Sequence, residues 1–573
     1  LDLYDRISDL GKRRGIIYPS FEIYGGLSGF YDYGPVGTLL KRNIENKWRD
    51  MFVRREEMVE IETATVMPHQ VWEASGHLSH FTDALTTCTS CRKTYRSDFL
   101  LNESGVRVTE GASLKELDRL IEANGVACPD CGGKLGPSEP FNLMFRVTVG
   151  PFAEGIPAYC RPEAAQGQIL DFKRVYASER ERLPLGIAQI GRAVRNEIAP
   201  RKGPIRLREF TIIDYEIFID PENPAYPRLN LLEKQRMRVL TAAEQQAGTN
   251  VVQEVLPREA IERKLTQNEV SAYFLALSVR FMEEIGVPPE KQRLRELLPD
   301  ERAHYSRQTY DHEVWLERWG WTEVAGHAYR TDFDLHRHMI ASGVDHRVHK
   351  TFDHPREIET VTVAPNEEAI AKTFGEEAST VLDMIRKADP AALKREIEEK
   401  DSFELPGKHP LRLTTEHLRF QTRTEKAKGR SFLPHVVEPS FGVDRIVYSV
   451  LEYAYMEREG RLVLRLPGEI APVKVAVFPL VDRDDLPRLA TEVHERLVDA
   501  GLQATYDESG SIGRRYARVD EIGVPLAITV DYTTPKDRTV TVRDRDTWKQ
   551  QRVGIDDLEK TIKDLLGSRV WHT

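Results

Sequence analysis

AVRNEIAPRKGPIRLREFTIIDYE runs from Ala193 to Glu216 and packs Arg195, Glu197, Arg201, Lys202, Arg206, Arg208, Glu209, Asp214 and Glu216 into 24 residues. AVRNE and IRLREFTIIDYE both read as strands. IAPRKGP between them, with two Pro and one Gly, reads as a long turn-rich loop, so the stretch predicts an antiparallel hairpin. Period-two alternation puts Arg206, Arg208, Phe210, Ile212, Asp214 and Glu216 on one face of the second strand, with Arg195 and Glu197 sharing a face of the first. Such a surface offers guanidiniums that can fork onto phosphate oxygens. It also offers a ring for a purine and carboxylates for an amine. A nucleoside triphosphate held beside an amine fits this set. A merely salt-bridged exposed hairpin fits an isolated copy of it equally well, because surface ion pairs are common and weak.

The rest of the chain decides between the two. Its 573 residues exceed what one core can organise and imply several domains. With 40% hydrophobic and 30% charged residues the balance is that of a soluble globular protein. No apolar run is long enough for a membrane span, and the first residues lack a signal-peptide core, so a cytoplasmic protein without membrane partners is expected. A net charge of -10 excludes bulk coating of nucleic acid, so any RNA partner must meet local basic patches.

Residues 37–54 carry apolar residues at helical spacing. MVEIETATVM (58–67) alternates like a strand and stops before Pro68. The segments 227–300 and 366–404 are charged and read as mostly helical, with solvated faces. From Ala471 onward strand and helix alternate (VKVAVFPL, DLPRLATEVHERLVDAG, QATYD, SIGRRYARVDEIG, PLAITVD, TVTVRDRD, DLEKTIKDLL), which predicts a separate α/β domain. Four of the five cysteines fall as Cys88-x-x-Cys91 and Cys128-x-x-Cys131. That is the spacing of two metal knuckles, in which the Gly residues of CPDCGG let the second turn close. Four thiolates leave no open position, so structural Zn2+ is expected. Eight of the 16 histidines lie between His304 and His354; His336 and His338 could share a metal only if their segment were a strand, and lone histidines are usually structural.

Three stretches in order resemble the signature motifs of class II aminoacyl-tRNA synthetases: the helix-strand-Pro unit ending at Pro68, Arg195 to Phe210, and Phe441-Gly-Val-Asp-Arg445 opening a helix. The finer resemblance is to the glycyl-tRNA synthetase family of archaeal and eukaryotic type. It is carried by GGLSGFYDYGPVG (25–37), SGH (75–77), FNLMF (141–145), RPEAAQG (161–167), AQIG (188–191), RNEIAPR (195–201), GWTEVAGHAYR (320–330) and EPSFGVDR (438–445). The resemblance implies an α+β chain: an antiparallel-sheet catalytic domain with insertions, then an anticodon-binding domain. The implied catalytic core is 1–85 (first motif), 140–226 (second), 301–350 and 431–468 (third). It is interrupted by a zinc-ribbon-like insertion at 86–139, a helical insertion at 227–300 and a mixed helical insertion at 351–430, and is followed by the anticodon-binding domain at 470–573.

The activity it implies is ATP-dependent ligation of glycine to tRNA(Gly) by a homodimer, through glycyl-adenylate and with Mg2+. The implied roles are Arg195 on the ATP α-phosphate, with Arg445 as the second catalytic arginine. Asn196, Glu197, Arg206, Leu207, Phe210, Glu323 and Val324 complete the ATP site, with Glu197 on the adenine amino group and Phe210 stacked on the ring. Glu163, Asp214, Glu438, Pro439 and Ser440 are implied for glycine. His304 and His327 are expected along the cleft. Asp214 stands where the family usually has Glu, one methylene longer, which leaves open whether Asp214 or Glu216 meets the ammonium. Retention of Arg195, Arg206 and Arg445 argues against a non-catalytic RNA-binding relative. Glu163, Glu438 and Ser440 argue against serine, threonine or proline as substrate. In the last domain, Arg514, Arg515 and Arg518 are the expected RNA contacts.

Overall fold

A computed structural model describes residues 2–106, 108, 112–151, 154–198, 200, 203–407 and 411–567; Arg201 and Lys202 of the opening stretch lie outside them. The hairpin is present. Leu185–Val194 (β2; β1 is given below) and Glu209–Ile219 (β3) pair antiparallel without a slip, from Leu185 opposite Phe218 to Val194 opposite Glu209. Arg206 and Arg208, however, precede β3. They follow a 3-10 turn at Gly203–Ile205 and do not share the strand face with Phe210. The Pro and Gly of the loop draw the chain into that turn, so the period-two face begins only at Phe210.

β2 and β3 belong to a nine-stranded sheet. Its other members are Val59–Glu60 (β1), Met237–Leu240 (β4), Gln253–Val255 (β5), Gln292–Glu296 (β6), Gln308–Leu316 (β7), Gly320–Thr331 (β8) and His435–Gly442 (β9), in the spatial order β5-β4-β6-β7-β8-β9-β3-β2-β1. All neighbours are antiparallel except β4–β6 and β2–β1. β9 enters between β8 and β3, although the chain has passed through more than a hundred residues since β8.

Two sequence expectations change here. The 58–67 strand is not continuous: β1 pairs with β2 for two residues, while Val66–Pro68 pairs with Ile156–Cys160 instead. Arg161, whose Nη1 donates to Thr63 O at 3.1 Å, pins the crossing between the two. The segment 227–300, read as helical with solvated faces, supplies β4, β5 and β6. Its long helix, Glu269–Glu284, is buried on nearly every face. Strands of three to five residues are too short for a period to show, and a helix apolar all round marks interior position.

One layer of the core is built from Pro35–Trp48 (α1) and its wider-turned continuation Arg49–Arg54 against the sheet. Trp48 stacks on Phe52 with ring centroids 4.9 Å apart, and both meet Phe441 of β9 edge-on. On the opposite face Ala165–Ser178 (α2) lays Ile169 and Phe172 on the sheet, Phe172 stacking on Phe218 at 4.2 Å. Phe333–Ser342 (α3) packs beside it. His336 and His338 sit on this helix and turn different ways: His336 Nε2 accepts from Asp389 N and His338 Nε2 meets Gln166 Oε1.

Between α3 and β9 the chain forms a long, largely exposed two-stranded ribbon (348–365 with 418–432). Three helices at its tip carry a small core of Ile370, Val381, Ile385, Leu393 and Ile397. Val443–Ala454 (α4) follows β9.

The last unit is a five-stranded sheet of Val475–Pro479 (β10), Ala504–Tyr506 (β11), Leu526–Val530 (β12), Thr539–Asp544 (β13) and Gln550–Gly554 (β14), ordered β11-β10-β12-β13-β14. Leu486–Asp499 (α5), Ile512–Glu521 (α6) and Leu558–Gly567 (α7) pack on it. β14 had no sequence signal; QQRVG does not alternate. The buried Arg545 ties this unit to the core, donating to Gly523 O at 2.8 Å and Leu466 O at 2.9 Å. No helix among the described residues is long and apolar enough to cross a membrane.

Candidate active site

A cavity of about 300 Å³ opens over the sheet where β3, β8 and β9 lie side by side. It collects Glu163, Arg195, Glu197, Arg206, Leu207, Phe210, Asp214, Glu323, Val324, Glu438, Ser440 and Arg445, most of the residues the sequence nominated. Asn196 and Pro439 do not line it. Asn196 donates its backbone N–H to Leu143 O, and Pro439 is paired in the sheet opposite His327. Arg208 turns away, donating to Glu197 O and Ser28 O. His327 borders the cavity, and its ring packs edge-on against Phe441; His304 lies outside, stacked on His80 at 4.7 Å.

At one end the cations stand against the cavity wall. The Arg195 guanidinium lies 5.2 Å from the Phe210 ring centre and 5.4 Å from that of Phe81, while its Nε donates to Pro162 O. Arg206 grips Glu197 Oε2 at 2.5 Å. Arg445 donates to Ile205 O through Nε at 2.8 Å and to Glu323 Oε2 through Nη1 at 2.9 Å. Asp311 on β7 also lines this end. Its carboxyl is pushed up to about 8 by burial and by the carboxylate of Glu323.

The other end is a cluster of buried carboxylates, Glu163, Asp214, Glu216, Asp334 and Glu438, around the fully buried Arg330. Arg330 donates to Asp334 Oδ2 and to Glu438 Oε1, both at 2.8 Å, and its Nη2 is 3.6 Å from Glu163 Oε1. The Tyr305 ring covers its guanidinium at 3.7 Å. Asp214 lines the cavity with both oxygens engaged. Its Oδ2 accepts the backbone N–H groups of Ala164 (2.5 Å) and Ala165 (3.2 Å) at the start of α2, and its Oδ1 accepts Ser440 Oγ–H at 2.5 Å. The shorter side chain thus caps a helix N-terminus while still facing the cavity. Glu216 lies behind it, fully buried, with neither oxygen hydrogen-bonded.

Five carboxyls cannot all ionise around one arginine, and the environment separates them. Burial, reinforced by Glu438, drives Glu216 well above the carboxylate range. Burial, opposed by Arg330, leaves Glu438 pushed up to about 8. At Glu163 burial works against the anion, but His77 and Arg330 outweigh it and hold the group well below its ordinary value.

Sequence reasoning missed Arg330, Asp334, Gln166, Asp311 and Tyr305. Arg330 ends GWTEVAGHAYR, a stretch whose resemblance implies no role for it. Asp311 alternates with Glu313 on QTYDHEVWL, a signal that could have been followed.

The four cysteines converge as expected. Their sulfurs all lie within 4.8 Å of one another, with Cys88 to Cys131 at 3.5 Å and Cys91 to Cys128 at 3.6 Å. Sulfurs tetrahedral about an ion at a 2.3 Å bond length stand about 3.8 Å apart, so the set fits a metal. Gly132 is left-handed (φ +69°), and a Cβ on Gly133 would meet Ser90 Oγ at 2.6 Å. Both glycines of the knuckle are required. No other group of three or more His, Cys, Asp or Glu among the described residues converges in this way.

A largely antiparallel sheet with an arginine-bearing hairpin beside a central strand that opens a helix is the catalytic architecture of class II aminoacyl-tRNA synthetases. The fold agrees with that of the prolyl-tRNA synthetase of Cryptosporidium parvum (TM-score 0.52, 14% identity, 99% of this chain and 76% of that one). Residues 474–565 match the anticodon binding domain family. Relatives named glycine--tRNA ligase are 47% identical in Aeropyrum pernix (98% of this chain, 96% of the relative) and 43% in Methanocaldococcus jannaschii (99% of each). The chain belongs to the glycine--tRNA ligase family.

Proposed function

We propose that the cavity carries out both halves of glycine ligation to tRNA(Gly). A glycine carboxylate oxygen attacks the α-phosphorus of ATP and pyrophosphate leaves. A terminal ribose hydroxyl of the tRNA then attacks the carbonyl of glycyl-adenylate and AMP leaves. One observation carries the assignment: a buried carboxylate cluster and an arginine-bearing wall share one cavity. An ammonium and a triphosphate are the two charges it lacks.

Arg195 is aimed where negative charge grows on the α-phosphate, and Arg445 and Arg206 serve the distal phosphates and base. Phe210 covers adenine, Glu197 accepts from its amino group, and Leu207 and Val324 border the nucleotide. No Ser, Cys or His nucleophile is needed; the chemistry is alignment plus charge stabilisation. Asp311 and Glu323 would hold Mg2+: their carboxyls repel one another at the cavity edge, where Arg295 and Arg445 offset them only in part. When bound, that ion would offset phosphate charge.

Glycine is selected by Glu163, Glu438 and Asp214 taking its ammonium, with Ser440 orienting Asp214; larger amino acids would be excluded by size. Exclusion by size is easy for the smallest amino acid, so no editing site is required. Cys88, Cys91, Cys128 and Cys131 would hold Zn2+ as a structural cross-link, and free thiols poised as a metal set suit the reducing cytoplasm. The first motif, with α1, supports a homodimer, which a mass measurement in solution tests. The decisive experiment is pyrophosphate exchange across the amino acids. Glycine alone should sustain it, and exchange with another amino acid, or with none, overturns the assignment.

A further inference from the structure

Glu163 and Asp334 are the carboxyls of the cluster whose surroundings favour the anion. Asp334 is held by Arg330 and Gln166, and for Glu163 the structure gives a further reason outside the cavity. Ser75 and His77 do not line it, yet both are buried, at 0% and 3% exposure. Ser75 Oγ lies 2.8 Å from His77 Nδ1, and His77 Nε2 lies 3.3 Å from Glu163 Oε1. With the serine hydroxyl donating to Nδ1, the ring proton resides on Nε2, the nitrogen that faces the carboxylate. The same Glu163 oxygen accepts Gln166 Nε2–H at 3.1 Å. The ring cannot drift: Trp72 packs edge-on against it at 5.2 Å, and Ser75 O is held by His304 Nε2 at 3.1 Å. Its backbone is held as well, because Asn142 Nδ2 donates to both His77 O and Leu78 O at 3.2 Å, where the chain returns from the cysteine-bearing insertion.

We propose that Ser75 and His77 are positioning residues for glycine: a buried Ser75–His77–Glu163 relay that fixes the Glu163 carboxylate, as an anion, toward the substrate ammonium. The inference rests on the glycine-site reading above. Neither residue touches substrate, and both act on KM for glycine while the nucleotide end is undisturbed.

The test is glycine-dependent pyrophosphate exchange by the full chain carrying His77→Leu, His77→Gln or Ser75→Ala. Losing one hydrogen bond to a buried charge corresponds to roughly a ten- to hundredfold effect. His77→Leu should therefore raise KM for glycine by about that factor, with KM for ATP within about twofold of wild type. His77→Gln, whose amide N–H can replace Nε2–H, should recover most of the loss. Ser75→Ala, which only frees the ring to change tautomer or tilt, should raise KM for glycine by about three- to tenfold and reports even if His77→Leu does not fold. The relay is overturned if KM for glycine is unchanged in Ser75→Ala, if His77→Gln is no better than His77→Leu, or if KM for glycine and ATP rise together. Wild-type chain that shows no glycine-dependent exchange would instead sink the glycine-site reading itself.

Discussion

The two ends of the cavity are made from the same chemical groups, arginine and carboxylate, and use them in opposite ways. At the glycine end Arg330, Asp334, Glu438 and Glu163 are 9% exposed or less, and each contact is made before any substrate arrives. At the nucleotide end Arg195, Arg206 and Arg445 are only half-buried, and each rests on a stand-in acceptor: Pro162 O, Glu197 and Glu323. On the proposed assignment, a small invariant cation would meet a site fixed in advance, and a large polyanion would meet arginines that exchange one acceptor for another. The lesson is that equal charge content does not mean equal plasticity; burial decides which pairs can be traded.

The comparison can be broken most forcefully at Arg195. Arg195→Ala should lower the rate of glycine-dependent exchange by about a thousandfold or more, with KM for glycine nearly constant, since its charge acts mainly in the transition state. A large rise in KM for glycine instead would erase the division between the two ends. Asp214→Asn attacks the opposite end. An amide cannot accept two backbone N–H groups and a serine hydroxyl on both of its heads, so we expect about 2 kcal/mol of lost stability in denaturant titration, together with weaker glycine binding.

A third measurement sharpens the contrast through pH. Glu438 has its folded-state value raised to about 8, so the stability this protonated form contributes is intact in acid and is lost as pH rises through 8. Bound glycine brings the missing cation and should offset that loss. The extra melting temperature conferred by glycine should therefore grow between about pH 7 and pH 9, and Glu438→Gln should flatten the growth. Stabilisation by glycine that is the same at both pH values counts against the preset site.

The smallest expected effect lies far from both ends. Of the three arginines that α6 offered for RNA, Arg515 is buried against Pro479 O and Gly510 O, and Arg518 grips Asp507. Arg514 is the exposed one. Arg514→Glu should reduce tRNA charging by about threefold to tenfold and leave exchange untouched. A change in exchange would mean that the last domain reports on the cavity.

What could be read from the sequence followed local signals. The hairpin showed through its alternation and its Pro-Gly loop, the cysteine knuckles through their spacing, and the last domain through its regular strand-helix rhythm. Phe210, Asp214 and Glu438 could be placed because each sits inside a stretch with strong resemblance to a known motif. What could not be read is set by distance along the chain. Nothing near Glu163 announces that His77, 86 positions earlier, faces it, nor that Arg330 would be shared by three acids from separate elements. β4, β5 and β6 escaped because three to five residues give a period no room to appear. The resemblance offers Asp214 as a ligand, whereas its capping of α2 depends on where that helix begins in space.

The position of β9 has a consequence for how the protein is made. β3 and β8 flank it, but His435–Gly442 is synthesised long after both. Until then each flanking strand presents an open row of backbone donors and acceptors at the centre of the future sheet, the kind of edge that invites pairing with other chains. Closing it requires contacts that span hundreds of residues, a slow step for any chain. A polypeptide interrupted between Thr331 and His435 would therefore hold Asp214 on one side and Glu323 on the other with nothing to join them. It would be sticky and inactive rather than partly active.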